Sequence, residues 1–196
     1  MKNMMMAAAL AASLAAGGCA ANHEMIETSG ISTRSDVFRE GAAQAPLAPG
    51  YADLTVTSSL KTHKTGVHHL ESDTHGTNDY SLQLNVDGQA TTLRPRAFEE
   101  RSESRGLSDT EAGDGVRYLF STQIRLAAGR HRVVVASPVD GVAAVREVVL
   151  SEGVNTLVLE PVYRAAPDKQ RPGAAGQESF GAGLRAFRMI VNGNEL

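Results

Sequence analysis

Four of the six histidines lie in one polar stretch of the sequence: His63, His68, His69 and His75. Imidazole nitrogens are common ligands of zinc, copper and nickel, so a divalent transition metal is the chemistry that this stretch suggests. The spacing follows no helical or zinc-knuckle pattern, and adjacent residues such as His68 and His69 point to opposite faces of a strand. The alternative is a polar loop that is rich in histidine without holding a specific ion.

The motifs of nucleophilic enzymes are absent from the sequence, which contains neither a G-x-S-x-G pentapeptide nor a glycine-rich phosphate loop. Asp109, Glu111 and Asp114 offer oxygen ligands, but they lack the spacing of a calcium-binding EF-hand loop. We therefore expect no catalytic residues and no cofactor. A hydrolase that uses paired carboxylates on envelope carbohydrate is the weakest alternative.

Cys19 is the single cysteine of the chain, and it closes an N-terminal segment with the features of an export signal. Lys2 supplies a positive start, and residues 4–16 are almost wholly apolar but too few to span a bilayer. Residues 16–19 read Ala-Gly-Gly-Cys, which resembles the lipobox of bacterial lipoproteins, with Ala16 where that family usually has leucine. The alternative is an ordinary secretory signal with an incidental cysteine.

The lipobox resemblance implies cleavage before Cys19 and a diacylglycerol on its sulfur. Each buried methylene contributes about 0.8 kcal/mol, so two or three acyl chains would anchor the chain firmly in a membrane. Ala20 stands where an aspartate retains enterobacterial lipoproteins at the inner membrane. The resemblance therefore implies an outer-membrane location facing the periplasm, with the cell surface as the alternative.

The composition argues against several other classes of protein. A formal net charge of −3 disfavours sequence-independent nucleic-acid binding, which needs a basic surface. One cysteine allows no internal disulfide bond. No second apolar run approaches the ~20 residues of a membrane-spanning helix. Because tryptophan is absent and aromatic residues are few, the sequence predicts an aliphatic core.

Alternation of apolar and polar residues after position 51 is typical of β-strands. The clearest case runs from Tyr80 to Val86 and is followed by Asp87-Gly88, a turn pair that predicts a hairpin with residues 90–93. Further strands are predicted over residues 54–60, 116–126, 131–136, 142–150, 155–163 and 184–191. The even-numbered residues of 116–126 should share one face. Strands at this spacing predict an all-β fold, an antiparallel β-sandwich of about seven or eight strands.

The composition also divides the chain into segments. The predicted order is a signal peptide (1–18), the lipidated cysteine with a disordered, flexible tether (19–50), the β-sandwich domain (51–164), a flexible linker (165–179) and a C-terminal strand docked on the sandwich (180–196). Two local alternatives stay open: a short helix over residues 35–43 with Ser35 as its cap, and a helical turn in place of the last strand.

Residues 94–115 mix arginines and acidic residues with glycine and serine, and we expect a long solvated loop inserted between two strands. Loops of this length are often functional. Its candidate contacts to a protein partner are the charged residues Arg101, Glu103, Arg105 and Asp109.

Three segments resemble a PEGA-type domain, a small β-sandwich of bacterial and archaeal surface proteins. They are residues 84–88 (LNVDG), 126–135 (LAAGRHRVVV) and 148–161 (VVLSEGVNTLVLEP). The P-E-G-A turn itself is absent, and residues 94–115 are inserted. The resemblance implies an Ig-like or PEGA-like sandwich that mediates envelope interactions and has no catalytic residues. Independently of it, we expect the His131 imidazole to hydrogen-bond with a turn carbonyl.

The sequence thus predicts a lipid-anchored envelope protein that is not an enzyme and binds no nucleic acid. It would act through protein–protein interaction, as a structural or accessory subunit of an envelope or surface assembly. The second hypothesis is a module that binds a metal or a small ligand through the stretch from His63 to His75.

Overall fold

A computed structural model describes residues 23–41, 46–65, 74–103, 109–165 and 176–196 of the chain. Within these ranges the fold is mostly β, with one short α-helix, α1, over residues 23–29. The eleven strands are β1 (Phe38–Glu40), β2 (Tyr51–Thr62), β3 (Leu82–Val86), β4 (Gln89–Leu93), β5 (Arg96–Ser102), β6 (Gly113–Ala127), β7 (Gly129–Ser137), β8 (Val142–Leu150), β9 (Gly153–Tyr163), β10 (Leu184–Val191) and β11 (Asn194–Glu195).

The strands form two sheets that share one core. The seven-stranded sheet has the order β1-β6-β2-β9-β10-β11, and β5 pairs with the first half of β6. The four-stranded sheet has the order β4-β3-β7-β8. The prediction of a purely antiparallel arrangement was wrong at one place, because β2 and β9 are parallel neighbours. Such a pair needs a long crossover, and here the whole four-stranded sheet lies between the two strands in sequence.

The predicted alternation is confirmed by burial. The inward side chains of the two sheets form a single apolar cluster, which includes Leu54, Val56, Leu60, Leu82, Leu84, Val86, Tyr118, Phe120, Ile124, Val133, Val135, Leu157, Leu159, Phe187 and Met189. On β6 the even-numbered face is buried, as the spacing predicts. Asp87 and Gly88 have φ values of 48° and 92°, so the predicted tight turn joins β3 and β4.

The number of strands exceeds the predicted seven or eight because β1, β5 and β11 carry little hydrophobic signal. β5 and the start of β6 lie within residues 94–115, so the solvated-loop prediction was wrong for much of that range. β1 replaces the short helix considered for residues 35–43. β1 has only three residues, and its hydrogen-bonding partners lie on the distant strand β6.

Part of the predicted tether belongs to the folded domain. Phe38 lies in the core at 5 % exposure, and residues 23–34 contact the four-stranded sheet. In the predicted linker, Ala165 and Glu178 form an antiparallel bridge, and residues 166–175 between them lie outside the described ranges. Cys19 also lies outside them. In the part of the chain that the structure describes, no helix has both the length and the apolar character to cross a membrane.

Candidate functional site

An extensive polar arrangement lies on the outer face of the seven-stranded sheet, where β2 meets the hairpin that β5 forms with the start of β6. The two strands pair from Arg96 opposite Leu119 to Ser102 opposite Gly113. We call residues 96–102 and 113–119 the β5–β6 hairpin. The candidate contact Arg105 lies outside the described residues.

Lys61, near the end of β2, is the centre of this arrangement. Its side chain has no exposed surface, although lysine is almost always solvated. The ammonium donates to Ser102 Oγ at 2.9 Å, to the Glu111 carbonyl at 3.0 Å and to the Gly113 carbonyl at 2.5 Å. It also lies 3.4 Å from Glu100 Oε1. One buried cation therefore joins β2 to both strands of the hairpin.

Arg117 links the two carboxylates of the same cluster. Its guanidinium donates to both Glu100 oxygens, at 2.7 and 3.0 Å, and to Glu111 Oε2 at 2.6 Å. The Tyr163 hydroxyl donates to Glu111 Oε1 at 2.6 Å and accepts from the Lys61 backbone amide at 2.9 Å. Two cations thus face two anions, and their hydrogen bonds offset much of the cost of burying charge.

The cluster sets the protonation states of its members. Hydrogen bonding from Arg117 lowers the pKa of Glu100 from 4.5 to about 2, against the opposing effect of desolvation. Burial raises the pKa of the Tyr163 hydroxyl, and its hydrogen bond to Glu111 raises that pKa further. At neutral pH the glutamate is therefore a carboxylate and the tyrosine a hydrogen-bond donor, which is the state that the contacts require.

Phe98 lies on the same face of the hairpin as this charge cluster, directly opposite Arg117 in the strand register. Its side chain is 43 % exposed, and the exposed Arg96 shares its face of β5, whereas Arg101 points to the opposite face. Of the predicted partner contacts, Arg101 and Glu103 are exposed. Asp109 is half-buried, and its carboxylate accepts a hydrogen bond from the Glu111 amide at 3.1 Å. Sequence reasoning missed Phe98 because it stands among charged residues in the segment RAFEERS.

The structure brings two of the four candidate metal ligands together. The rings of His63 and His75 meet edge to face with their centroids 4.8 Å apart. His75 Nε2 lies 3.1 Å from Asp140 Oδ1. His68 and His69 lie outside the described residues. Among the residues that are described, no group of three or more His, Cys, Asp or Glu side chains is arranged to hold a metal ion.

Asp140 is engaged by hydroxyl groups as well as by His75. Tyr80 and Ser137 both donate to its Oδ2, at 2.7 and 2.5 Å. Burial raises the pKa of the Asp140 carboxyl, but the hydrogen bonds from His75, Ser137 and Tyr80 outweigh it and hold that pKa below its ordinary value. Because the Ser137 hydroxyl donates to Asp140 and not to His75, these residues do not form the serine–histidine pair that activates a nucleophile.

The space beside these groups is small. The cavity that Lys61, His63, His75 and Asp140 help to line has a volume of about 10 Å³. A volume of this size holds about one water molecule. As the described residues line it, this cavity has no room for an organic ligand.

His131 makes the hydrogen bond to a turn carbonyl that the sequence predicts. Its Nε2 lies 2.9 Å from the Ala127 carbonyl oxygen, which confirms the hydrogen bond to a turn. Its Nδ1 lies 2.7 Å from Asp87 Oδ2, and the other oxygen of that carboxylate accepts from the Arg132 amide at 2.7 Å. Asp87 thus connects the β3–β4 turn to the start of β7.

Comparison with protein-family models, with curated proteins and with solved structures finds no match to this chain.

Proposed function

We propose that this chain is a lipid-anchored protein of the bacterial cell envelope that acts by binding another protein, as a structural or accessory subunit of an envelope or surface assembly. Support for the anchor comes from the export signal and from the Ala-Gly-Gly-Cys sequence that ends at Cys19. The proposed location is the outer membrane on its periplasmic side. The proposed binding surface is the β5–β6 hairpin.

The single observation that supports this binding surface most strongly is the exposed Phe98 on a rigidly held edge strand. Aromatic and arginine side chains are enriched among the residues that dominate binding energy at protein interfaces, and Arg96 lies two residues from Phe98 on the same face of β5. Among the described strands β5 pairs only with β6, so its other edge offers backbone groups with which an extended partner segment could pair. Since Lys61 and Arg117 hold the hairpin in place, little conformational entropy would be lost when a partner binds.

We further propose that the two sheets form a PEGA-like, Ig-like sandwich. Two of the three segments that resemble PEGA-type domains meet at Asp87, which contacts both His131 and the Arg132 amide. The third segment forms the end of β8, the following turn and most of β9. The resembling residues therefore form connected structural features of the domain.

The hairpin assignment is tested with point substitutions, since removing residues 94–115 would also remove half of the buried charge cluster. Phe98→Asp combined with Arg96→Glu should abolish recovery of a crosslinked partner from intact cells. Tyr51→Asp is the matched control, because Tyr51 is a similarly exposed strand aromatic, at 46 %. Equal recovery of the same partner by both variants and by the unaltered protein would sink the assignment.

The anchor is tested separately by metabolic labelling with an alkyne fatty acid. The unaltered protein should carry the label and sediment with membranes, and Cys19→Ser should lose both properties. Membrane attachment that persists without Cys19 would contradict lipid anchoring at this residue.

A second candidate function is the binding of a divalent transition metal near His63 and His75. The observation in its favour is the contact between these two rings, with Asp140 beside one of them. Zinc titration of the purified protein, compared with the His63→Ala variant, tests this alternative. Affinity tighter than micromolar that falls in the variant would support it.

A further inference from the structure

Residues 23–34 are bound to the outer surface of the four-stranded sheet. Asn85 on β3 donates its side-chain amide to the backbone carbonyls of Ser29 and Ile31, at 3.4 Å each. The backbone amides of Thr33 and Arg34 both donate to the Gly88 carbonyl, at 2.8 and 3.1 Å. The segment that follows α1 therefore has a fixed place on the domain.

The next residues continue this attachment. The Gln89 side-chain oxygen accepts from the amides of Val37 and Phe38, at 2.8 and 3.0 Å. Ser32 Oγ accepts from the Ala90 amide at 2.9 Å. Ser29, at the end of α1, is 2 % exposed. A stretch with this many contacts cannot act as a flexible spacer between a lipid and the domain.

The length of chain between Cys19 and α1 limits where a lipid on that cysteine can lie. Cys19 precedes His23, the first residue that the structure describes and a residue of α1, by only four positions. Four residues span at most about 14 Å when fully extended, at 3.3–3.6 Å each. Any membrane that holds the acyl chains must therefore lie close to the start of α1.

We infer that the α1 side of the four-stranded sheet faces the membrane and that the domain rests on the lipid surface. This inference depends on the proposed lipidation of Cys19. It goes beyond that proposal by assigning an orientation, with a lipid headgroup surface as the partner of this face.

The side chains on this face suit a headgroup layer. Ile31, just after α1, is 58 % exposed, and Val149 on β8 is 62 % exposed. Arg130 and Arg132 are exposed on the same outer surface of β7, where Arg130 also donates to Glu147 Oε2 at 3.2 Å. Exposed apolar groups beside arginines can enter the boundary between acyl chains and headgroups and contact lipid phosphates. The β5–β6 hairpin belongs to the other sheet, so this orientation leaves Phe98 accessible to a partner.

A fluorescence experiment on the full lipidated chain tests the orientation. Because the Cys19 thiol would be acylated, a single introduced cysteine is the one free thiol available for a dye. Glu27→Cys places the dye on an exposed position of α1, and Ser121→Cys places it on the outer surface of β6 as the matched control. Both proteins are reconstituted into phosphatidylethanolamine–phosphatidylglycerol vesicles that contain a headgroup nitroxide quencher.

The expected result is strong quenching at position 27 and little at position 121. An insertion of about ten glycine and serine residues after Ala21 should reduce the quenching at position 27, since a flexible link lets the domain leave the surface. Lipidated, vesicle-bound protein with equal quenching at both positions would overturn the orientation and leave the anchor intact. Protein that carries no lipid would overturn both.

Discussion

Substituting Lys61 with methionine should destabilise the protein substantially, because Lys61 is the buried cation that joins β2 to the β5–β6 hairpin. Methionine keeps most of the aliphatic length but removes the donors to Ser102, Glu111 and Gly113. Removing one partner of a buried charged pair costs about 3–5 kcal/mol. Glu100 keeps its two hydrogen bonds from Arg117, so the lower end of that range, about 3 kcal/mol, is expected.

Urea unfolding of the purified protein measures this loss, and amide hydrogen exchange across β5 shows whether the hairpin opens first. Lys64→Met is the matched control. Lys64 pairs with Glu99 at 2.8 Å, but the glutamate is largely exposed, so a change below about 0.5 kcal/mol is expected. Equal unfolding free energies for Lys61→Met and Lys64→Met, with unchanged exchange in β5, would refute the structural role of the buried cation.

Three further predictions concern acid, a turn and metal. Since the folded pKa of Glu100 is about 2 against an ordinary 4.5, its contribution to stability is present above about pH 4.5 and is lost as the pH falls toward 2. Glu100→Gln should therefore reduce the difference between the urea midpoints at pH 7 and pH 3. An unchanged difference would contradict the stabilising role of the Glu100 carboxylate. Gly88→Ala should lower the free energy of unfolding by about 1–3 kcal/mol, more than Gly141→Ala does, as measured by thermal unfolding. Both glycines have positive φ, but only at Gly88 would the added methyl lie 2.6 Å from another atom, Thr33 Oγ1. Equal losses in the two variants would argue against tight packing around Gly88. If protein binding is the function, zinc affinity should be no tighter than micromolar and unchanged by His75→Ala in calorimetry.

The predictions succeeded where burial on one face determines the pattern. The residues from Leu82 to Val86 and the even-numbered face of β6 alternate because each strand covers a common core. The Asp87-Gly88 turn was predictable because its positive φ values restrict the residue types. These features depend on neighbours in sequence, so the sequence displays them directly.

The failures concern elements stabilised by distant residues. β5 is a strand because it pairs with β6, and its charged side chains find partners such as Lys61, which lies 39 residues before Glu100. No local pattern reports such a contact. The packing of residues 23–34 was missed for the same reason, since Asn85 and Gly88 hold that segment from more than fifty residues away.

The candidate site was predictable only in part. The exposure of Arg101 and Glu103 follows from their charge, and both are exposed. The buried charge cluster around Lys61 was not foreseen, because a fully buried lysine contradicts the usual behaviour of that residue. A segment with more charged than apolar residues is predicted to be a loop. The edge strand β5 and its exposed Phe98 were missed for this reason.

The measurement that tests the proposed function most directly is photo-crosslinking in intact cells from a benzoylphenylalanine introduced at position 98. Position 51 serves as the control site because its tyrosine has similar exposure on the distant end of β2. A discrete adduct that forms from position 98 and not from position 51 is the predicted result. Absence of any adduct from position 98, or the same adducts from both positions, would contradict a partner-binding hairpin.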